Sequence, residues 1–505
     1  MDDDVEFSKI EQRATEKYLT DNEKESFRYV GRVEIEDDEV INGNLVVIDG
    51  DLDLQGKVHG DVLVIRGDVS LDSGSVVNGN VTSVDGSIRQ DDQSRVQGSQ
   101  LETHVKNLFA HGEWDKSRDD FYTYDHHHNY GPYSTLPLRH VDESLVLSYN
   151  RVQGVFLGWA IPKKITGKYN FLTVHGFGGY GFKEKSWRYE VGADRWLFNQ
   201  TDYRFEIGAK VYDLTDTKDD WLLTSWENSL SAVLLHRDYQ DYYRRSGYEF
   251  HASQNISIYF KGSLAYRNDL YESVDRNTNW ALFGKRDFRE NPAIDNGEMR
   301  SLYGELYFDN RNNIEEPTRG WFAKLGVETS NSNLKSDFSF NQYLFELKRY
   351  QPLGHYERLD MRLKVASSEG EVPMQKLYQL GGIGTMRGFT YKSLRGAKDA
   401  FGGDRMLLAN FEYNLNPRSW GNDFLFFDEM RYILFLDVGN VWNRADVDSD
   451  DSWSAGFSHL KLNDLKSDIG IAFSSWDGNA RLSIAKRTDT NKNSILLTFR
   501  ISKPF

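Results

Sequence analysis

The segment Leu380-Gly-Gly-Ile-Gly-Thr-Met-Arg-Gly-Phe389 places four glycines around one cation, Arg387, in a long loop. Glycine lets such a loop bend sharply, and a guanidinium that folds inward must be neutralised. The two strands that follow each offer a carboxylate on the expected inner face, Glu412 and Asp437. A guanidinium can serve two acids at once, and Phe435, on the face of Asp437, supplies an aromatic wall. The chemistry on offer is ion pairing rather than bond breaking. No Gly-x-Ser-x-Gly elbow occurs, and Gly382-x-Gly384 followed by Gly388 lacks the helix of a dinucleotide site. Asp446-Val-Asp-Ser-Asp450 opens like a calcium loop, but Asp451 stands where the turn needs glycine and Phe457 where a bidentate glutamate belongs. His126-His127-His128 project to alternate faces of an extended chain and make a poor shared ligand set. We assign no catalytic residue, cofactor or metal ligand.

The elements that hold these groups alternate with period 2. In the final segment Ile495, Leu497, Phe499, Ile501 and Phe505 share one face, opposite Thr498, Arg500 and Ser502. From Tyr203 to Tyr212, Phe205, Ile207, Ala209 and Val211 oppose Arg204, Glu206, Lys210 and Tyr212. Charges of both signs on the second face suit a wet lumen, with the first face in lipid. Trp159, Trp196, Trp321 and Trp442 fall near strand ends, where an interfacial girdle belongs. Hydrophobic residues make up 39% of the chain. Its mean hydropathy of -0.63 is too polar for a helical membrane protein. A β-barrel tolerates that average because only alternate residues touch lipid. The net charge of -16 argues against a nucleic-acid partner, and zero cysteines exclude disulfides and thiolate zinc sites. The opening Met1-Asp-Asp-Asp-Val5 has no charged-then-apolar leader, so we expect a mature form whose secretion signal has been removed or replaced.

Four regions follow. Residues 1–29 are charged and weakly helical, with Ile10, Ala14 and Tyr18 on one face, and are expected to be mobile. Residues 30–100 repeat: Gly43, Gly60, Gly79 and Gly98 recur at spacings of 17, 19 and 19, and Gly50, Gly67 and Gly86 follow the first three after Val/Ile-rich strands. Such short units must stack, which predicts a β-solenoid with glycine corners at positive φ. Residues 101–145 form a His/Asp/Tyr/Pro-rich linker, and 146–505 an antiparallel barrel of sixteen strands. The fold class is all-β. We place the first strand near Arg151, the seventh near Asn279 and the last near Ser494, with an inward-folded loop over 371–405 between the eleventh and twelfth. Asp219 and Asp220 are expected to cap a helix whose Leu222, Trp226, Leu230 and Val233 share a face, with Gly247 beyond its end. On that count the helix lies at the periplasmic mouth.

The barrel resembles the outer-membrane assembly and translocation superfamily that includes BamA, TamA and the two-partner secretion pores. Asp309-Asn-Arg311 with Pro317-Thr-Arg-Gly320 looks like the turn into that family's ninth strand. Met386-Arg-Gly-Phe389 matches its loop tip, Glu412 its twelfth-strand carboxylate, and Phe435-Leu-Asp437-Val-Gly439 its thirteenth-strand Phe-x-Asp-x-Gly. Tyr149 to Gly158 resembles the first strand of a surface-antigen subgroup common in Bacteroidetes-type bacteria, and residues 30–100 resemble the bactofilin-type β-helix. The resemblance implies a non-enzymatic protein of the Gram-negative outer membrane, with its solenoid in the periplasm, that inserts or translocates polypeptides. It implies a lateral seam between a first strand holding Arg151, Val152 and Gly154 and a last strand holding Phe499 and Phe505. Client polypeptides, lipid and periplasmic or lipoprotein subunits are the expected partners. Against the family pattern, residues 1–140 show no βαα-ββ rhythm of POTRA modules. The alternatives are an envelope anchor with a self-associating solenoid, and a passive pore.

Overall fold

A computed structural model describes residues 11, 13–15, 17–19, 26–48, 50–103, 145–161, 163, 172–197, 205–257, 259–284, 286–311, 317–353, 357–396, 401–415, 430–448, 450–458, 460–475, 480–489 and 495–501. The histidine run at 126–128 and Phe505 lie outside them. Two units divide the chain, the first taking residues 1–118 and 311–319, the second 119–310 and 320–505.

In the first unit, strands β1–β13 run from Ser26 to Thr103 and stack in parallel into three sheets. One complete rung is β4 (Asn44–Ile48), β5 (Leu52–Leu54) and β6 (Lys57–Val58). Leu45, Val47, Leu52, Leu54 and Val58 point into a dry centre and meet Val62, Val64, Val69 and Leu71 of the next rung. This is the predicted solenoid, begun earlier than expected: β1 (Ser26–Val30) pairs with β4. Residues 11–18 are helical where described, and Ala14 and Leu19 pack on Val46, Ile48, Leu63 and Ile65. The segment is thus docked, not loose, because the outer face of this sheet is apolar too.

The corner glycines needed a different explanation. Positive φ falls on Arg66 and Asp85, one residue before Gly67 and Gly86, while those glycines themselves are not left-handed. Glycine is required there by stacking. A Cβ on Gly67 would lie 2.0 Å from the Gly50 carbonyl oxygen, and one on Gly60 2.4 Å from that of Gly43. A side-chain ladder runs beside them: Asn44 accepts from the Asp61 amide at 2.9 Å, Asp61 from Asn80 at 2.7 Å, and Asn80 from Ser99 at 2.9 Å.

The second unit holds a sixteen-stranded antiparallel sheet, β14 (Leu145–Asn150) to β29 (Ile495–Arg500), in sequence order. The total agrees with expectation, but two placements do not. Leu145–Asn150 is a strand that pairs with β15 (Gly154–Ile161), so Arg151, Val152 and Gln153 form the hairpin turn. Among the described residues, Asn279 to Asn296 contains no strand. The missed strand and the surplus one cancel by the eighth, leaving β22 (Gly320–Ser330), β25 (Arg405–Leu415) and β26 (Met430–Trp442) ninth, twelfth and thirteenth.

Shifting that count moves the helix. Five strands, not four, precede α1 (Ser225–Leu235), so its connection lies on the same side as the glycine-rich loop after the eleventh strand. That is the outer mouth, not the periplasmic one. Outward faces are apolar: Ile495 and Leu497 are each 65% exposed, whereas Arg500 is 8% exposed on the lumen side. Trp159 and Trp321 are exposed as a girdle requires, but Trp442 is buried and donates its indole N–H to the Gly456 carbonyl at 3.2 Å. No described helix is long and apolar enough to cross a membrane.

Candidate functional site: the lumen loop and the strand seam

Between β24 (Glu357–Glu371) and β25, the described residues 372–396 and 401–404 fold inward. Gly381, Gly382 and Gly384 adopt φ of 115°, 90° and 86°, a region open to glycine and costly for other residues. Their turns close on themselves, with the Gly382 amide donating to the Met386 carbonyl at 2.9 Å and the Gly381 amide to Thr385 Oγ1 at 2.9 Å. The loop therefore presents Arg387 as a fixed point.

Arg387 donates through Nε and Nη2 to the two Asp437 oxygens at 2.8 and 2.7 Å, and its amide reaches Asp437 at 3.0 Å. Its Nη1 donates to Glu412 at 2.5 Å. The guanidinium carbon sits 3.6 Å from the Phe435 ring centre. Sequence reasoning missed the outer ring of partners. Arg481 on β28 (Arg481–Arg487) donates to both Glu412 oxygens at 2.8 Å, and Asn410 bridges Asp437 and the Thr385 carbonyl at 2.8 and 2.7 Å. Both lie at alternating lumen positions, so strand period combined with side-chain polarity could have found them. Met386 and Phe389 enter an apolar cluster with Leu380, Met406, Leu408 and Val441. Gly388 and Gly439 leave room: a Cβ on the first would lie 2.5 Å from Asp468 Cβ, and one on the second 3.2 Å from Met386 Sδ. All eight loop-tip and wall residues singled out from the sequence thus meet.

A second anchor was unforeseen. Lys392, itself left-handed at φ 51°, inserts Nζ between Asp219 at 2.5 Å and Asp241 at 2.6 Å. Both acids belong to the connection that carries α1. Asp219 is therefore an ion-pair partner and not a cap. Thr224 caps the helix, accepting from the Glu227 amide at 3.3 Å. The spacing Thr224-x-x-Glu227 is a capping box that could have been read from the sequence. Gly247 lies within β19 (Tyr242–Asn255), and His236 in the left-handed conformation ends the helix. Val233 of the expected apolar face packs with Ala232 against Tyr149 and Phe288, but the other buried residues of α1 are polar: Ser225, Glu227, Asn228 and Ser229.

Those buried side chains meet the seam. Among the described residues no backbone pair joins β14 to β29, so each presents an unpaired edge. The Tyr149 amide on β14 donates to Ser229 Oγ at 3.0 Å. The Ile501 amide, just past β29, donates to Glu227 Oε1 at 2.7 Å, and Arg500 Nη2 reaches Glu227 Oε2 at 3.2 Å. One helix thus occupies donors of both edges. Arg151, Val152 and Gly154 are displaced from the predicted seam, because β14 covers β15 on that side. Arg151 is instead fully buried, donating to Asp241 at 3.1 Å and Asn291 at 2.9 Å. Phe499 does lie on the edge strand β29 and is exposed.

Residues 195–505 match the family model for the Omp85 superfamily domain. The chain belongs to the Omp85 superfamily. It is 27% identical over 168 residues to the outer membrane protein assembly factor BamA of Nitratidesulfovibrio vulgaris, a match spanning 31% of this chain and 20% of that protein. The chain thus aligns with about a fifth of that relative's length. Among solved structures it is similar to BamA from Haemophilus ducreyi lacking POTRA domains 1–3, with TM-score 0.47 and 16% identity over 73% of each chain. CdiB from Acinetobacter baumannii gives TM-score 0.35 and 10% identity over 70% of this chain and 58% of that one. Omp85 membership places the barrel in the Gram-negative outer membrane, with the solenoid on the periplasmic side.

Proposed function

We propose that this Omp85 protein assists the insertion or translocation of polypeptides by parting β14 from β29, with α1 as the latch. The carrying observation is that the Tyr149 amide of β14 and the Ile501 amide just past β29 both donate to α1, while among the described residues no backbone pair joins the two strands. An extended client segment offers backbone acceptors that can replace Ser229 and Glu227, adding a strand to either edge. Lys392 ties the latch connection to the glycine-rich loop, so withdrawal of the loop and release of α1 are coupled through Asp219 and Asp241. Arg387, with its clamp of Asp437 and Glu412, holds the loop in the closed state. The reading is non-enzymatic. Its partners are client outer-membrane polypeptides, membrane lipid and accessory periplasmic subunits, in keeping with the assembly-factor name of the BamA relative.

The absence of native cysteine makes the test clean. Cysteine pairs scanned across Leu145–Asn150 and Ile495–Arg500 will trap the seam when oxidised. Trapping should stop assembly of client barrels in cells, and reduction should restore it. Full activity with the seam covalently closed would rule the reading out. A second reading, the barrel as anchor for a self-associating solenoid, is favoured by β13 (Gln100–Thr103), which pairs only with β10 (Val81–Val84) among the described residues. It requires ordered arrays in native membranes that vanish when residues 26–103 are deleted, with client assembly intact.

A further inference from the structure

Away from the loop and the seam, four adjacent strands concentrate metal-binding groups on the lumen wall. They are β16 (Leu172–Gly181), β17 (Ser186–Trp196), β18 (Phe205–Thr217) and β19. Their contributions are His175, Asp194, Glu206 and His251, close to the ends of β17 and β18 that face the periplasm. The ligand atoms of Asp194, Glu206 and His251 all lie within 4.8 Å of one another. His251 Nε2 is 2.8 Å from Asp194 and 3.6 Å from Glu206, while its Nδ1 faces Glu249 at 3.6 Å. His175 Nε2 sits 2.9 Å from the other Asp194 oxygen.

Two further observations point to a cation. Lys163 Nζ already lies between the carboxylates, 2.8 Å from Asp194 and 2.5 Å from Glu206. The wall beneath is also cleared of side chains. A Cβ on Gly208 would stand 1.9 Å from Asp194 Oδ1 and 2.6 Å from His251 Nε2, and one on Gly192 2.5 Å from the His175 ring.

We propose that Asp194, Glu206 and His251 bind a divalent first-row transition ion of the zinc type, with His175 orienting Asp194 from behind and Lys163 holding the place until the ion displaces it. Mixed imidazole and carboxylate donors suit such ions better than magnesium or calcium, which prefer oxygen alone. Lys163 lies outside the strands, so an incoming dication has only to displace that one side chain, and the three ligands stay where the strands hold them.

The test uses the full chain in detergent and Zn2+ as the probe, with bound metal measured after equilibrium dialysis. One equivalent per chain is expected. H251N and D194N should each weaken binding at least tenfold. K163A should tighten it about threefold or more, and this variant keeps the proposal falsifiable if the others fail to fold. Replacing His126, His127 and His128 together by alanine should leave the equivalent in place. No bound Zn2+, unchanged affinity in H251N, weaker binding in K163A, or loss of the metal with the histidine run would each overturn it.

Discussion

The solenoid and the barrel are both β-structures that enclose a space, and they fill it in opposite ways. In the solenoid, Val47 over Val64 and Leu54 over Leu71 repeat one aliphatic contact from rung to rung. In the barrel, apolar side chains turn outward, and the interior is held by unlike charges brought from distant strands, as where Arg387, Glu412 and Arg481 meet. A dry interior built from repeats loses stability in small, similar steps. An ionic interior gathers its cost at a few residues, because removing one partner strands the others in a poorly solvated site.

Arg387→Ala should have the largest effect. It leaves Asp437 and part of Glu412 uncompensated, for a cost of about 3–5 kcal/mol. Limited proteolysis should cut between 381 and 396, and the folded barrel should lose heat resistance. Wild-type behaviour in both assays would mean that the clamp does not hold the loop. Leu54→Ala should cost about 2–4 kcal/mol in the solenoid alone, as expected for a fully buried leucine. Loss of barrel heat resistance in that variant would undo the contrast between the regions. Glu227→Ala should cost about 1–3 kcal/mol by freeing the Ile501 amide and Arg500. Photo-crosslinkers on β29 should then capture more client, while Glu227→Gln, which keeps an acceptor for the amide, should fall between. Equal capture by all three proteins would remove α1 as a latch.

The smallest effect concerns a second ladder in the solenoid, where Asp51 accepts from the Asp68 amide and Asp68 from the Ser87 amide. Burial, and then the neighbouring Asp68 charge, raise the Asp51 carboxyl above its ordinary value. A raised carboxyl favours the folded state when protonated, so this contribution is present at low pH and is lost as pH rises through the folded value. Asp51→Asn keeps an acceptor for the Asp68 amide, now at 2.8 Å. It should flatten the pH dependence of solenoid unfolding and stabilise it slightly at pH 7, measured by circular dichroism melts. A steeper dependence would contradict the assignment.

Much of the barrel was legible because period 2 and the sign of each face are local properties. The segments Met386–Phe389, Glu412 and Phe435–Gly439 declared both the loop tip and its wall. The hairpin at Arg151–Gln153 was not legible. With the first strand placed near Arg151, the short strand Leu145–Asn150 before it was passed over, and the error moved α1 to the wrong mouth. The polar face of α1 was equally hidden, since a helix whose partners are backbone amides on two sheet edges has no hydrophobic signature.

Residue order alone determined that alternate side chains must meet lipid and water, and that glycines 17 to 19 residues apart must stack. Both follow from the geometry of an extended chain. Only the tertiary structure decided which charges meet. Lys392 reaches Asp219 across 173 positions, and Glu227 reaches Ile501 across 274. Such pairings depend on strand register and on how far each loop folds back, and no local pattern encodes them.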